Sequence, residues 1–133
     1  MKSVSVIFAS VMLSGCALFP SQFDSNEQAR ITDIVVLTVD EKATCENASR
    51  AYLVAKDVDE HARWLVIYGG SLPDNDKLTS GYVKLREISR DMVKRYGQGP
   101  DKDPSRVYCE SKIKTMNRAA QTLLEASGRR PRS

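Results

Sequence analysis

The sequence predicts an all-α fold, a small antiparallel bundle of three to four helices. Apolar residues recur at steps of three, four or seven over most of the 133 residues, which is the spacing of one face of an α-helix. Two segments rich in glycine, proline and aspartate, 69–76 and 97–103, interrupt this pattern and are typical of turns. Because short connections make consecutive helices antiparallel neighbours, we expect one compact domain.

The first helical region begins near residue 24 and extends towards Gly69. Its start carries a capping signature, in which Ser25 stands three residues before Gln28. The apolar positions that share one helical face in this region are Cys45, Ala48, Tyr52, Ala55, Ala62 and Leu65.

Residues 31–39 are the ambiguous part of this region. They are rich in β-branched residues and would suit a strand, for which only residues 64–68 could provide a partner. A two-stranded pair is marginally stable at best, and the same residues also trace a helical face. We favour a helix, kinked or broken near Val39 and Asp40, and the strand stays the alternative.

Two further helices follow. The second is capped by residues 74–76 and stopped by Gly97, and its apolar stripe consists of Leu78, Tyr82, Leu85, Ile88, Met92 and Tyr96. The third starts with Asp103 as N-cap and Pro104 in the first turn, and Gly128 stops it. Its stripe consists of Cys109, Ile113, Met116, Ala120 and Leu123. The helical domain therefore covers residues 24–128, and we expect the basic tail 129–133 to be disordered.

The N-terminus has the features of an export signal. An apolar run, residues 4–13, follows the single basic residue Lys2 and is far shorter than the ~20 apolar residues that span a bilayer. The run closes in Leu13-Ser14-Gly15-Cys16, which resembles the lipobox of bacterial lipoproteins. The resemblance implies that residues 1–15 are a cleaved signal peptide and that Cys16 carries acyl chains such as palmitate. Residues 16–23 are then the lipid anchor and tether.

Localisation also follows from this resemblance. In Gram-negative lipoproteins, aspartate after the lipidated cysteine favours retention in the inner membrane. Ala17 occupies that position here, so the resemblance implies an outer-membrane protein that is lipid-anchored and faces the periplasm. Acyl chains on one cysteine suffice as a stable anchor, because each buried CH₂ contributes roughly 0.8 kcal/mol. The alternative is an ordinary export signal that ends near a cysteine.

The remaining two cysteines predict a disulfide. With Cys16 assigned to lipid, Cys45 and Cys109 are an even pair in an oxidising compartment. The alternatives are two free buried thiols or a metal pair, although no CxxC or Cys/His cluster supports a metal. Because each cysteine lies on an apolar stripe, we expect the bond to join the first and last helices. Closing so long a loop would contribute on the order of 4 kcal/mol.

The sequence offers little for catalysis. His61 is the only histidine, and no Gly-x-Ser-x-Gly, HExxH or phosphate-binding glycine motif occurs. Asp57 and His61, four residues apart, could hold a metal, but together with Glu60 they better suit a charged exposed face. Removal of residues 1–15 lowers the formal net charge from +3 to +2, which predicts no nucleic-acid partner. We expect no enzyme activity, no cofactor and no metal.

Two features are candidates for recognition. Four large aromatic residues stand near predicted helix ends, and such residues either fill cores or dominate binding hot spots. We favour the core for this set, which comprises Trp64, Tyr68, Tyr82 and Tyr96. The basic tail could contact anionic headgroups, but a solvated tail is the simpler interpretation.

The layout also resembles a known family. A lipobox, a tether, a compact helical bundle and a disulfide to the last helix are similar to the small helical pilotins of type II secretion. Asn117-Arg118 echoes that family's last helix, although its spacing after Cys109 departs from the family pattern, and no binding residue transfers. Pilotins bring a secretin subunit to the outer membrane by holding a short helix of it in a groove.

We therefore expect a non-enzymatic, lipid-anchored envelope protein whose helical domain binds a protein partner at the outer membrane, in one form as a pilotin-like assembly factor. The alternative is a phage- or plasmid-encoded lipoprotein that blocks a receptor or excludes a second infecting element. The sequence does not identify the residues that bind the partner.

Overall fold

The protein is described by a computed structural model over residues 21–132, and this range holds five helices and no strand. They are α1 (Ser25–Leu37), α2 (Glu41–Thr44), α3 (Ala48–Ser71), α4 (Asp76–Tyr96) and α5 (Arg106–Gly128), with one 3₁₀ turn at Pro100–Lys102. The all-α prediction is confirmed, with four long helices and one short one. The signal peptide and Cys16 lie outside the described residues.

The four long helices pack as a closed ring in cross-section. α1 contacts α3 and α5, and α4 contacts the same two helices from the other side. Neighbours run antiparallel: Asn26 and Arg30 of α1 pair with Tyr68 and His61 of α3, in reverse order. The fold is therefore an up-down-up-down four-helix bundle. The short α2 packs mainly on α5.

The bundle core is formed by the predicted stripes. Its hydrophobic residues without solvent exposure are Ile31, Ile34, Ala55, Val58, Ala62, Leu65, Tyr82, Leu85, Met92, Ile113, Met116 and Ala120. Four of the predicted stripe positions are only half-buried, namely Ala48, Tyr52, Ile88 and Tyr96. Two glycines allow close helix contact: Gly81 packs on Leu123, and a Cβ at Gly69 would lie 2.9 Å from the Tyr82 ring.

Residues 31–39 are helical as far as Leu37, so the strand alternative is wrong. The break comes at Thr38, whose hydroxyl donates to the carbonyl of Ile34 at 2.7 Å. Asn117 of α5 donates its amide to the carbonyl of Val35 and to the Thr38 hydroxyl, each at 3.1 Å. The bond from Asn117 satisfies the Val35 carbonyl, which would accept from the amide of residue 39 in a continued helix.

The helix boundaries correct several predicted caps. Asp24, rather than Ser25 in a capping box, caps α1 by accepting from the Glu27 amide at 2.9 Å. Ser105, rather than Asp103, caps α5. Asn75 stands at the N-cap of α4 but makes no side-chain cap bond. Asp40 and Asn47 start α2 and α3, which divides the first predicted helical region into three helices. The stops at Gly97 and Gly128 and the helix break near Val39 and Asp40 are as predicted.

Cys45 and Cys109 form a disulfide, as predicted, with their Cα atoms 5.9 Å apart. The elements that the bond joins differ from the prediction. Cys45 is the C-cap of the short α2, not a member of a long helix, while Cys109 lies in the first turns of α5. The bond therefore fixes the link between α1 and α3 onto α5, at the end of the bundle where α3 begins.

We expect Cys45→Ser with Cys109→Ser to lower the free energy of unfolding by about 2–5 kcal/mol, as for other small disulfide-bonded domains. Far-UV circular dichroism at room temperature should change little, because the core of the four long helices stays intact. Urea unfolding measures the difference, and a reducing agent should shift the midpoint of the wild type but not that of the double variant. A wild-type unfolding midpoint that does not change on reduction would contradict this role of the bond.

Candidate functional site

An open cleft of about 540 Å³ lies along the solvent side of α3, where α1 packs against it. Its walls are Arg30 of α1 and α3 residues at steps of three and four, chiefly Asp57, Glu60, His61, Trp64, Ile67 and Tyr68. We call it the α3 cleft. The helical spacing places these side chains in one row along the outer face of α3.

The part of the α3 cleft nearer the C-terminal end of α3 is apolar and aromatic. The Trp64 and Tyr68 rings stack with centroids 4.4 Å apart and planes 17° from parallel. Ile67 beside them is 68% exposed. The Tyr68 hydroxyl donates to the Asp24 carboxylate at 2.9 Å, and this bond holds the Tyr68 ring in place. Exposed aromatic and aliphatic groups on a rigid helix are typical of a binding surface.

The prediction that the four large aromatic residues fill the core therefore holds for only some of them. Tyr82 is fully buried, as expected for a core residue. Trp64 and Tyr68 are only half-buried and form the cleft, and Tyr96 is half-buried at the other end of the bundle. Periodicity could not separate these cases, because all four residues stand at helical spacing.

The part of the cleft nearer the N-terminal end of α3 carries charge. The Arg30 guanidinium lies over the Trp64 ring, 5.1 Å from its centroid, and one of its nitrogens is 3.2 Å from Nδ1 of His61. Asp57 and Glu60 continue the row and are exposed. Within residues 21–132, no group of three His, Cys, Asp or Glu residues is arranged to hold a metal ion. The Ser71 hydroxyl donates to the Tyr68 carbonyl at 2.6 Å rather than to a base.

A second polar cluster is buried at the end of the bundle where α1 and α4 begin. Glu27 has no solvent exposure, and its carboxylate accepts from the Tyr82 hydroxyl, from Asn75 at 3.1 Å and from Arg130 at 3.3 Å. Burial and the bond to Glu27 raise the pKa of Tyr82 well above its ordinary value. The phenol therefore stays protonated and donates.

Arg130 is bonded on all sides of its guanidinium. It donates to Asn75 at 2.9 Å, to the Ser127 hydroxyl at 3.1 Å, and to the Ser127 carbonyl and the Ser21 hydroxyl at 3.3 Å each. Its side chain is 6% exposed. We call Glu27, Asn75, Tyr82 and Arg130 the buried polar network. A charge pair this deep is tolerated because its polar atoms find partners.

The network corrects the prediction of a disordered tail. Residues 129–132 lie on the bundle: the Phe23 amide donates to the Pro131 carbonyl at 3.0 Å, and Arg132 lies 4.5 Å from the centroid of the Phe23 ring. A signal for this was present in the sequence. Glu27 stands four residues before Ile31 on the α1 stripe, and a carboxylate at a core position requires a donor.

No helix within residues 21–132 has both the length and the apolar character needed to cross a membrane. Comparisons with protein-family models, curated proteins and solved structures find no match to this chain.

Proposed function

We propose that this protein is a non-enzymatic, lipid-anchored envelope protein that binds a short amphipathic helix of a partner protein in the α3 cleft. The observation that carries the proposal is the exposed apolar surface of Trp64, Ile67 and Tyr68 on one rigid helix. An amphipathic helix covers such a surface with residues spaced at three and four positions. This is also the binding mode that the resemblance to pilotins implies.

The charges of the cleft support a helix of defined polarity. Asp57 and Arg63 both line the cleft and are six positions apart, about 9 Å along α3. A partner helix that places its apolar residues on Trp64 and Ile67 would meet the Asp57 end with a basic residue and the Arg63 side with an acidic one. Such pairing sets the direction of the bound helix more than its affinity.

The position of the cleft supports a partner at the membrane. Ser21, the first described residue, bonds to Asn75 beside the C-terminal end of α3, the end that carries Tyr68. Ser21 stands five positions after Cys16, so that a fully extended tether would span at most about 18 Å. With lipid on Cys16, the aromatic part of the cleft would lie near the headgroups.

We expect a photoreactive amino acid at Ile67 to crosslink to one partner in native envelopes, and the crosslinked segment to be an amphipathic helix. A synthetic peptide of that segment should bind the purified protein, and Ile67→Asp should weaken binding by more than tenfold, as for a hot-spot residue (a loss of roughly 1.4 kcal/mol or more).

Val107 provides the matched control, because it is a 77% exposed aliphatic residue on another helix. A photoreactive group there should give no product, and Val107→Asp should leave peptide binding unchanged. Equal crosslinking from both positions, or a peptide affinity that Ile67→Asp does not lower, would exclude the α3 cleft as the binding site.

The lipid anchor has its own test. Mass spectrometry of protein from native membranes should show a mature chain that begins at Cys16 and carries acyl chains there. Cys16→Ser should remain unprocessed or appear soluble in the periplasm, because two or more chains are what make the anchor stable. A mature chain that starts elsewhere without lipid would end this part of the proposal.

A further inference from the structure

The contact between Arg30 and His61 depends on the protonation state of the histidine. Arg30 Nη1 lies 3.2 Å from His61 Nδ1, and a guanidinium has only donors. Nδ1 must therefore accept, which requires a neutral imidazole with its proton on Nε2. A protonated ring carries a proton on both nitrogens and cannot make this bond.

The same arginine covers the apolar part of the cleft. Its guanidinium carbon is 5.1 Å from the centroid of the Trp64 ring. One side chain thus bonds to His61 and shields the indole face. Losing the first contact frees Arg30 to leave the second, since a cation–π contact at an exposed site is weak.

The charged groups around His61 favour this release on protonation. From α1, the Asp33 carboxylate lies 4.0 Å from Nδ1 and would attract an imidazolium, while Arg30 would face a second cation. Asp57, Glu60 and Arg63 of α3 line the same cleft. From α4, Arg86 pairs with Asp59 on the other side of α3 at 3.9 Å. The short α2 packs near the start of α3, about 20 Å along the helix from His61.

We propose that protonation of His61 moves Arg30 away from Trp64 and opens the α3 cleft to an apolar ligand. The cleft is therefore covered while the imidazole is neutral and open once it is protonated. As regulation of partner binding, the inference rests on the proposed function. The movement of Arg30 away from Trp64 needs no partner and can be tested on the free protein.

The test uses the free protein and its single tryptophan. Quenching of Trp64 fluorescence by acrylamide measures access to the indole. The quenching constant should rise by about a factor of two between about pH 8 and pH 5, as the covering cation leaves. In His61→Gln it should stay at the low wild-type value, because glutamine accepts from Arg30 but does not titrate. In Arg30→Ala it should stay at the high value.

Two results would overturn the proposal: a wild-type quenching constant that does not change with pH, or an Arg30→Ala variant that keeps the full pH dependence. The second result would mean that the imidazolium acts on Trp64 directly. Arg30→Gln repeats the test without the cation if the alanine variant fails to fold by circular dichroism. Because no partner is present, the result is separate from the crosslinking test of the proposed function.

Discussion

The carboxylate of Glu27, buried without solvent contact, is the constraint on which the arrangement of the bundle depends. A buried charge costs several kcal/mol unless it is paired and hydrogen-bonded. Its hydrogen-bond partners come from α4 and from the C-terminal end of α5, and α3 joins the network through Asn75. α4 supplies Tyr82 and the N-cap Asn75, the C-terminal end of α5 supplies Arg130, and α3 supplies the Gly69 carbonyl, which accepts from Asn75 at 3.2 Å. The four helix ends must therefore meet at one level.

The α3 cleft depends on this constraint through α1. That helix has only 13 residues, so little apolar surface holds it on the bundle. It is held at its start by the buried polar network and at its end by the bonds from Asn117 to Val35 and Thr38. Between these two points lies Arg30, which forms the wall of the cleft opposite Trp64. A displaced α1 would remove Arg30 and Asp24 from the aromatic stack together.

Helical periodicity in the sequence was sufficient to predict the fold class and most of the core. The stripes of α4 and α5 follow from spacing that is local in the chain, and the disulfide follows from the even pair that Cys45 and Cys109 form once Cys16 is assigned to lipid. The helix break at Thr38 does not, because the bonds that stabilise it come from Asn117, 79 residues away. The ordered tail was missed for the same reason, since Arg130 meets Glu27 across 103 residues. The cleft was missed because core and exposed aromatic residues have the same spacing.

A double-mutant cycle on Glu27→Gln and Arg130→Met tests the buried polar network most directly. Each single variant leaves one buried group without its charged partner and should lower the free energy of unfolding by about 3–5 kcal/mol. The double variant removes both charges, so its loss should fall short of the sum of the single losses by at least about 2 kcal/mol. Urea unfolding of the disulfide-intact protein at neutral pH measures all three. Losses that simply add would show that the two residues stabilise the fold independently and would contradict the network.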